Sequence, residues 1–256
     1  MVEWERGGDT PGEAPSLARI YDYLLGGYHN FSSDRTVADD LIRTDPEFPL
    51  AVRANRAFLR RCVQFLCEQG IDQFLDLGSG IPTVGNVHEV AQQVNPSARV
   101  VYVEIDPVAV RYSLTILQNQ PTVTTVEADV FQPETVLAHP EVRRLIDFDR
   151  PLATLLLSVL HFLPDDARAR QVVRVLCDAM PPGSYLALSH GTVWLSHPTR
   201  SGKGRSRAKI AAFFKGLELV EPGLVYTPLW RPEDKDDLLV SQPERSITLG
   251  GVARKP

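Results

Sequence analysis

Leu75-Asp76-Leu77-Gly78-Ser79-Gly80 is the stretch on which the fold turns. An apolar run over 71–77 leads into it and reads as a strand. Gly78 and Gly80 let the chain turn sharply and let a ligand approach the backbone. A helical segment over 82–94 follows. Further on, strands read at 100–105, 123–127, 152–159 and 185–189, separated by helical segments at 107–119, 134–146 and 165–180. This alternation predicts an α/β fold with a mostly parallel, doubly wound sheet and helices on both faces. Right-handed crossovers leave few topologies.

Beyond the fifth strand, a basic helix near 205–215 precedes two strands, 218–226 and 246–253. They read as an antiparallel pair at one sheet edge. Upstream, 1–14 is rich in Gly, Pro and charge and reads as disordered. Residues 15–70 read as three helices. Ser16 caps the first, which carries Ile20, Tyr21 and Leu24 and ends at Gly26-Gly27. Ser32 or Ser33 caps the second. Pro49 opens the third, which runs through Cys62 and Cys67 to Gly70.

The chain has 256 residues and a formal net charge of −5. That charge gives no electrostatic reason to expect nucleic-acid or membrane binding. The acidic, Gly-rich start is no secretory signal. The longest apolar stretch, Leu152 to Leu163, is shorter than the roughly 20 residues a spanning helix needs. Cys62, Cys67 and Cys177 lack pairwise metal or disulfide spacing. A reducing, cytoplasmic setting is the expectation.

The acids around the loop carry the chemical reading. A dinucleotide loop needs a third glycine where Thr83 stands, and Asp76 would repel a pyrophosphate. S-adenosylmethionine has no phosphate; it carries a sulfonium and an ammonium, which a carboxylate beside the loop suits. Glu104 ends the second strand, where an acid can accept both ribose hydroxyls. Asp129 ends the third, where it can accept from an adenine amino group. Ile105 and Val130 follow these acids and join the candidate set. Any one such acid alone has a plain alternative as a cap or turn residue. Three at successive strand ends point to a ligand. Asp106, before Pro107, reads as a helix start.

These motifs resemble the class I S-adenosylmethionine-dependent methyltransferases. The strings 21–27 (YDYLLGG), 80–83 (GIPT), 85–91 (GNVHEVA), 160–162 (LHF) and 214–223 (FKGLELVEPG) narrow the match. They resemble an actinobacterial methyltransferase family long carried as a domain of unknown function (DUF574). The resemblance runs from Pro15 onward. It implies a Rossmann-like, seven-stranded sheet over 71–256, with 15–70 as a helical cap over the cofactor. It also implies that Gly78, Ser79 and Gly80 contact the methionine end, with Glu104 on the ribose and Asp129 on the adenine. Ser158 would border the sulfonium, and Tyr23, Asn30 and Phe31 would reach in from the cap. Position 104 is Glu where Asp is more usual, and Tyr28-His29 departs from the usual pair.

Methyl transfer is an in-line displacement that needs alignment more than side-chain chemistry. Alignment alone can supply roughly 7–11 kcal/mol, and no metal is expected. An oxygen or nitrogen acceptor can still need a base. His161, after the fourth strand, is the first candidate; His29 and Tyr23 on the cap are next. Each has a packing alternative. His88 reads as structural, and His190 and His197 as surface residues flanking a substrate pocket. The basic run of Arg200, Lys203, Arg205, Arg207 and Lys209 reads as a solvated face, or as a greeting for an anionic substrate. The sequence reading is a methyltransferase with a small-molecule acceptor. The alternatives are a protein that senses S-adenosylmethionine without transferring its methyl, and a nicotinamide dehydrogenase, disfavoured by Asp76 and Thr83.

Overall fold

The computed structural model describes residues 14–83, 85–195, 202–234 and 238–256. The expected disordered start, apart from Ala14, lies outside the described residues, as do His197 and Arg200. The elements run α1 (Leu17–Leu24), α2 (Ser32–Thr44), α3 (Phe48–Glu68), β1 (Gln73–Leu77), α4 (Val87–Val94) and β2 (Arg99–Glu104). Next come α5 (Pro107–Ile116), β3 (Val123–Glu127), α6 (Pro133–Ala138), α7 (Pro140–Leu145), β4 (Ala153–Leu157) and α8 (Asp166–Ala179). The last are β5 (Tyr185–Gly191), α9 (Arg207–Ala211), β6 (Glu218–Leu219), β7 (Val225–Tyr226) and β8 (Thr248–Arg254).

The sheet order is β3-β2-β1-β4-β5-β8-β6, with β7 also pairing β8. The first five strands are parallel. β8 runs antiparallel to β5, β6 and β7. β1 and β4 are buried along their whole lengths, as central parallel strands should be. Their alternation feeds two cores. Phe74 packs with residues of α3 and α4. Leu75 and Leu77 pack with α6, α7 and α8 on the other face. The strand order reverses between β1 and β4, which places a crevice outside their carboxyl ends.

The structure differs from the sequence expectation at several boundaries. α4 begins at Val87, well past the glycines, because Pro82 and the left-handed Gly85 (φ +64°) hold the chain out of a helix. Asn86 caps it, its N–H donating to Glu89 Oε2 at 2.9 Å. Pro140 splits the 134–146 segment into α6 and α7. The expected strand at 218–226 becomes β6 and β7, parted where Pro222 lacks an N–H and Gly223 takes φ +83°. The sheet therefore has eight strands rather than seven.

The N-terminal helices build a cap with a small core of Ile20, Leu24, Val37, Leu41 and Val52. The side chain of Ser16 makes no cap hydrogen bond. Its N–H, and that of Phe31 at the capping position of α2, instead donate to Asp34, at 2.8 and 2.9 Å. Arg19 crosses from α1 to Asp34 and to Asp106 at the start of α5, at 2.7 Å each. Asp106 also caps α5 through Val108 N–H. α3 belongs to both layers. Val52 lies in the cap core, while Phe58 to Cys67 pack on the sheet. Gly250 permits that approach, since a Cβ there would lie 2.7 Å from Phe58.

Candidate active site

A cavity of about 500 Å³ covers the carboxyl ends of β1 to β5 beneath the cap. Its floor is the glycine turn. Gly78 takes φ +71°, and a Cβ on it would meet Val159 Cγ2 at 2.6 Å. The N–H groups of Gly78 and Ser79 donate to Val103 O at 2.8 and 3.1 Å. Gly80 N–H donates to Glu104 Oε2 at 2.9 Å. Glu104 Oε1 accepts from the N–H groups of Ile105 and Asp106. The extra methylene of Glu over Asp thus ties β2 back to the loop. Burial raises the Glu104 pKa, and these three N–H groups oppose that rise.

Asp76 is 4% exposed and has no hydrogen-bond partner among the described residues. Burial, opposed by the Arg56 charge and helped by Glu104, pushes its pKa up to about 7. Asp129 Oδ1 accepts from Phe131 N–H at 2.8 Å, leaving Oδ2 without a hydrogen bond among the described residues. Ile105, Val130 and Ser158 also line the cavity.

Ser158 takes φ +58°, unusual for a residue with a Cβ. A polar chain holds it there. Its N–H donates to Ser189 Oγ at 3.0 Å, and Ser189 Oγ donates to Asn55 Oδ1 at 2.6 Å. Asn55 Nδ2 donates to the Tyr21 hydroxyl at 3.1 Å, which donates to Val52 O at 3.3 Å. The chain joins the ends of β4 and β5 to α3 and α1. Burial raises the Tyr21 phenol pKa.

His161 reaches the cavity beside Phe162 and Trp194, with ring centroids 4.3 and 5.4 Å away. The other cap candidates do not reach the cavity wall. Tyr23 donates to Asp39 at 3.2 Å on the outer side of the cap. His29 packs on Tyr28 and Tyr112, and its N–H donates to Asp22. Asn30 bridges Asp22 and Arg35, and Phe31 lies under the Arg19 guanidinium. His29, Asn30 and Phe31 build the turn from α1 to α2, and Tyr23 ties the two helices together.

His190 is fully buried, contrary to its surface reading. Its Nε2 accepts from Arg205 Nη1 at 2.7 Å, so its Nδ1 carries the proton donated to Gly191 O. Burial lowers its pKa to about 4. His88 Nδ1 and the Tyr102 hydroxyl share a hydrogen bond at 2.7 Å, and the ring is buried, a packing role as expected. The described part of the basic run is paired within the chain, mostly at its surface, and only Arg205 is buried. Lys203, Arg205 and Lys209 converge on Asp166, and Lys209 and Lys203 hold its carboxyl well below the usual range. Burial raises the Cys67 and Cys177 thiols to about 11 and 12. Among the described residues, no group of three His, Cys, Asp or Glu side chains is placed to hold a metal, and no helix is long and apolar enough to cross a membrane.

Asn55, Arg56, Tyr21 and Trp194 line the cavity without having stood out in the sequence. One signal was readable. In α3, Asn55 and Arg56 fall between Val52 and Leu59 on the apolar face, where polar residues need partners.

Comparison with protein-family models matches residues 8–256 to one described as S-adenosyl methyltransferase. The chain belongs to this family. Its cofactor is S-adenosylmethionine, and the methyltransferase is an enzyme of that class. A candidate methyltransferase from Thermobifida fusca is 43% identical, with 99% of both chains covered and a TM-score of 0.90. A DUF574-family protein from Streptomyces avermitilis is 39% identical, covering 95% of this chain and 98% of its own, with a TM-score of 0.87. The N-methyltransferase NodS of Bradyrhizobium japonicum, solved with S-adenosyl-L-homocysteine, is 15% identical over 93% of this chain and 99% of its own. Its TM-score of 0.52 shows a shared fold. Comparison with curated proteins gives no match.

Proposed function

We propose that this methyltransferase moves the methyl of S-adenosylmethionine to a small, largely apolar acceptor bound beneath the cap. The observation that carries this is the cavity's second wall. Past the acids at the strand ends, Leu24, Leu41, Phe48, Val52, Trp194 and Leu195 line the same space. An apolar wall with a few polar groups is the usual make-up of a small-molecule site. A sensor that only held the cofactor would have no need of that wall.

In this reading the glycine turn and Asp76 receive the methionine end, Glu104 the ribose, and Asp129 Oδ2 with Val130 and Ile105 the adenine. Ser158 lies beside the sulfur. The bound cofactor supplies the electrophilic methyl and its own leaving group. The protein's part is to align the acceptor and keep water out. Tyr21 is a poor base, since its proton is directed to Val52 O and its pKa is raised. His161 is the group that would take a proton from an acceptor hydroxyl or amine. Tyr23, His29, Asn30 and Phe31 would act by shaping the cap.

Thermal stability with S-adenosylmethionine, S-adenosylhomocysteine and NAD tests the cofactor site. Both sulfur ligands should stabilise by about 3–4 kcal/mol at 100–1,000 times Kd, and NAD should not. Transfer of labelled methyl to a panel of neutral aromatic and aliphatic acceptors then tests the acceptor. Transfer only to anionic acceptors would overturn the apolar reading.

A further inference from the structure

The apolar lining of the cavity has two sources. The cap supplies mostly aliphatic side chains, among them Leu24, Leu41 and Val52. The turns after β4 and β5 supply rings, and His161, Phe162 and Trp194 all line the space. Their centroids lie 4.3 Å apart for His161 and Phe162, 5.4 Å for His161 and Trp194, and 5.5 Å for Phe162 and Trp194. Phe162 stands edge-on to both neighbours, at 73° and 87°.

The cluster is held from behind. Arg205 is 1% exposed and donates to the carbonyls of Leu160 and Leu163, at 2.8 and 2.6 Å. Those carbonyls flank the turn that carries His161 and Phe162. Arg205 Nε donates to Asp166 at 2.9 Å, which anchors this grip to α8. Lys203 N–H donates to His161 O at 2.8 Å. Gly202 leaves room for the Trp194 indole, which a Cβ there would meet at 2.3 Å. Rings fixed before a ligand arrives cost it less ordering when it binds.

Rings also select among apolar ligands. Their faces are negative and their edges positive, so they favour another aromatic ring over a saturated one of the same size. We propose that this wall selects an aromatic acceptor, whose ring packs against Trp194 and Phe162 and carries the hydroxyl or amine that takes the methyl. His161, in the same cluster, stands beside that group. The acceptor oxygen or nitrogen bonds to the methyl as the methyl–sulfur bond breaks. The sulfonium becomes a neutral thioether, and the acceptor's proton goes to His161. This inference rests on an apolar acceptor lying beneath the cap, as proposed above.

Calorimetry on protein saturated with S-adenosylhomocysteine tests it, with naphthol and decahydronaphthol as ligands. The two alcohols share a skeleton and a hydroxyl, but one is flat and aromatic and the other saturated. Wild-type protein should bind naphthol about 3- to 10-fold tighter, the range that an aromatic pair adds beyond buried area. Trp194→Leu should cut that ratio by about half or more, and Trp194→Phe should keep most of it. The ratio within one variant does not depend on how much of the protein is folded. A wild-type ratio of one or below, or a ratio that Trp194→Leu leaves unchanged, would overturn the proposal while keeping an apolar acceptor. Binding of neither alcohol would instead sink the apolar reading itself, and this proposal with it.

Discussion

At the scale of single residues, the glycine turn is the most constrained part of the site. Gly78 needs both its positive φ and its missing Cβ, because Val159 occupies the space. Gly78→Val should cost about 1–3 kcal/mol in urea unfolding and weaken cofactor binding. Asp129→Ala should weaken binding with a smaller effect on stability. Unchanged affinity in both would move the cofactor elsewhere. Asp76 gives a pH signature. Its folded pKa of about 7 lies above the ordinary carboxylate value of 3.8. The folded state therefore holds the proton more tightly, and the ligand-free protein loses stability from this group as pH rises from about 4 through about 7. Asp76→Asn should flatten that part of the profile in thermal unfolding. A steeper profile would contradict it. The acids at the strand ends could be read from sequence because strand endings are visible in the hydrophobic rhythm. Arg56 and Asn55 were legible only as polar residues on an apolar helix face; that this face lies over the crevice was not, because helical spacing does not say what a face meets.

At the scale of elements, the strands were more legible than the helix starts. Buried parallel strands write themselves as continuous apolar runs, and the five read from sequence appear within a few residues of 73–77, 99–104, 123–127, 153–157 and 185–191. Helix starts were set by contacts from elsewhere in the chain. The expected caps at Ser16 and at Ser32 or Ser33 are not used; Asp34, from inside α2, instead accepts the N–H groups of Ser16 and Phe31. The same carboxylate meets Arg19, which also reaches Asp106 on α5. Arg19 and Asp34 are both buried, so Arg19→Ala should destabilise by about 3–5 kcal/mol by leaving Asp34 uncompensated. Chemical denaturation measures this, and a loss below 1 kcal/mol would mean that the clamp is dispensable. Arg19 read as one more helix residue in the sequence, because ion pairs across long separations leave no local mark.

At the scale of the molecule, the parallel sheet with its antiparallel β8 followed from the order of elements. The breaking of 218–226 into β6 and β7 did not, because it depends on a proline and a glycine inside an otherwise strand-like run. The cap is legible as three helices, but its attachment is not. α3 runs for 21 residues from the cap's core to the sheet's, without a break. Sequence rhythm changes after Gly70, yet side-chain packing crosses that point freely. Modularity is the casualty of this arrangement. A cap carried on its own linker can be traded between relatives, or lost, as a unit. Here the helix that roofs the cavity also supports the sheet. New acceptor preferences in this lineage would then arise by point changes along α1, α2 and the first turns of α3, and not by exchange of the whole cap.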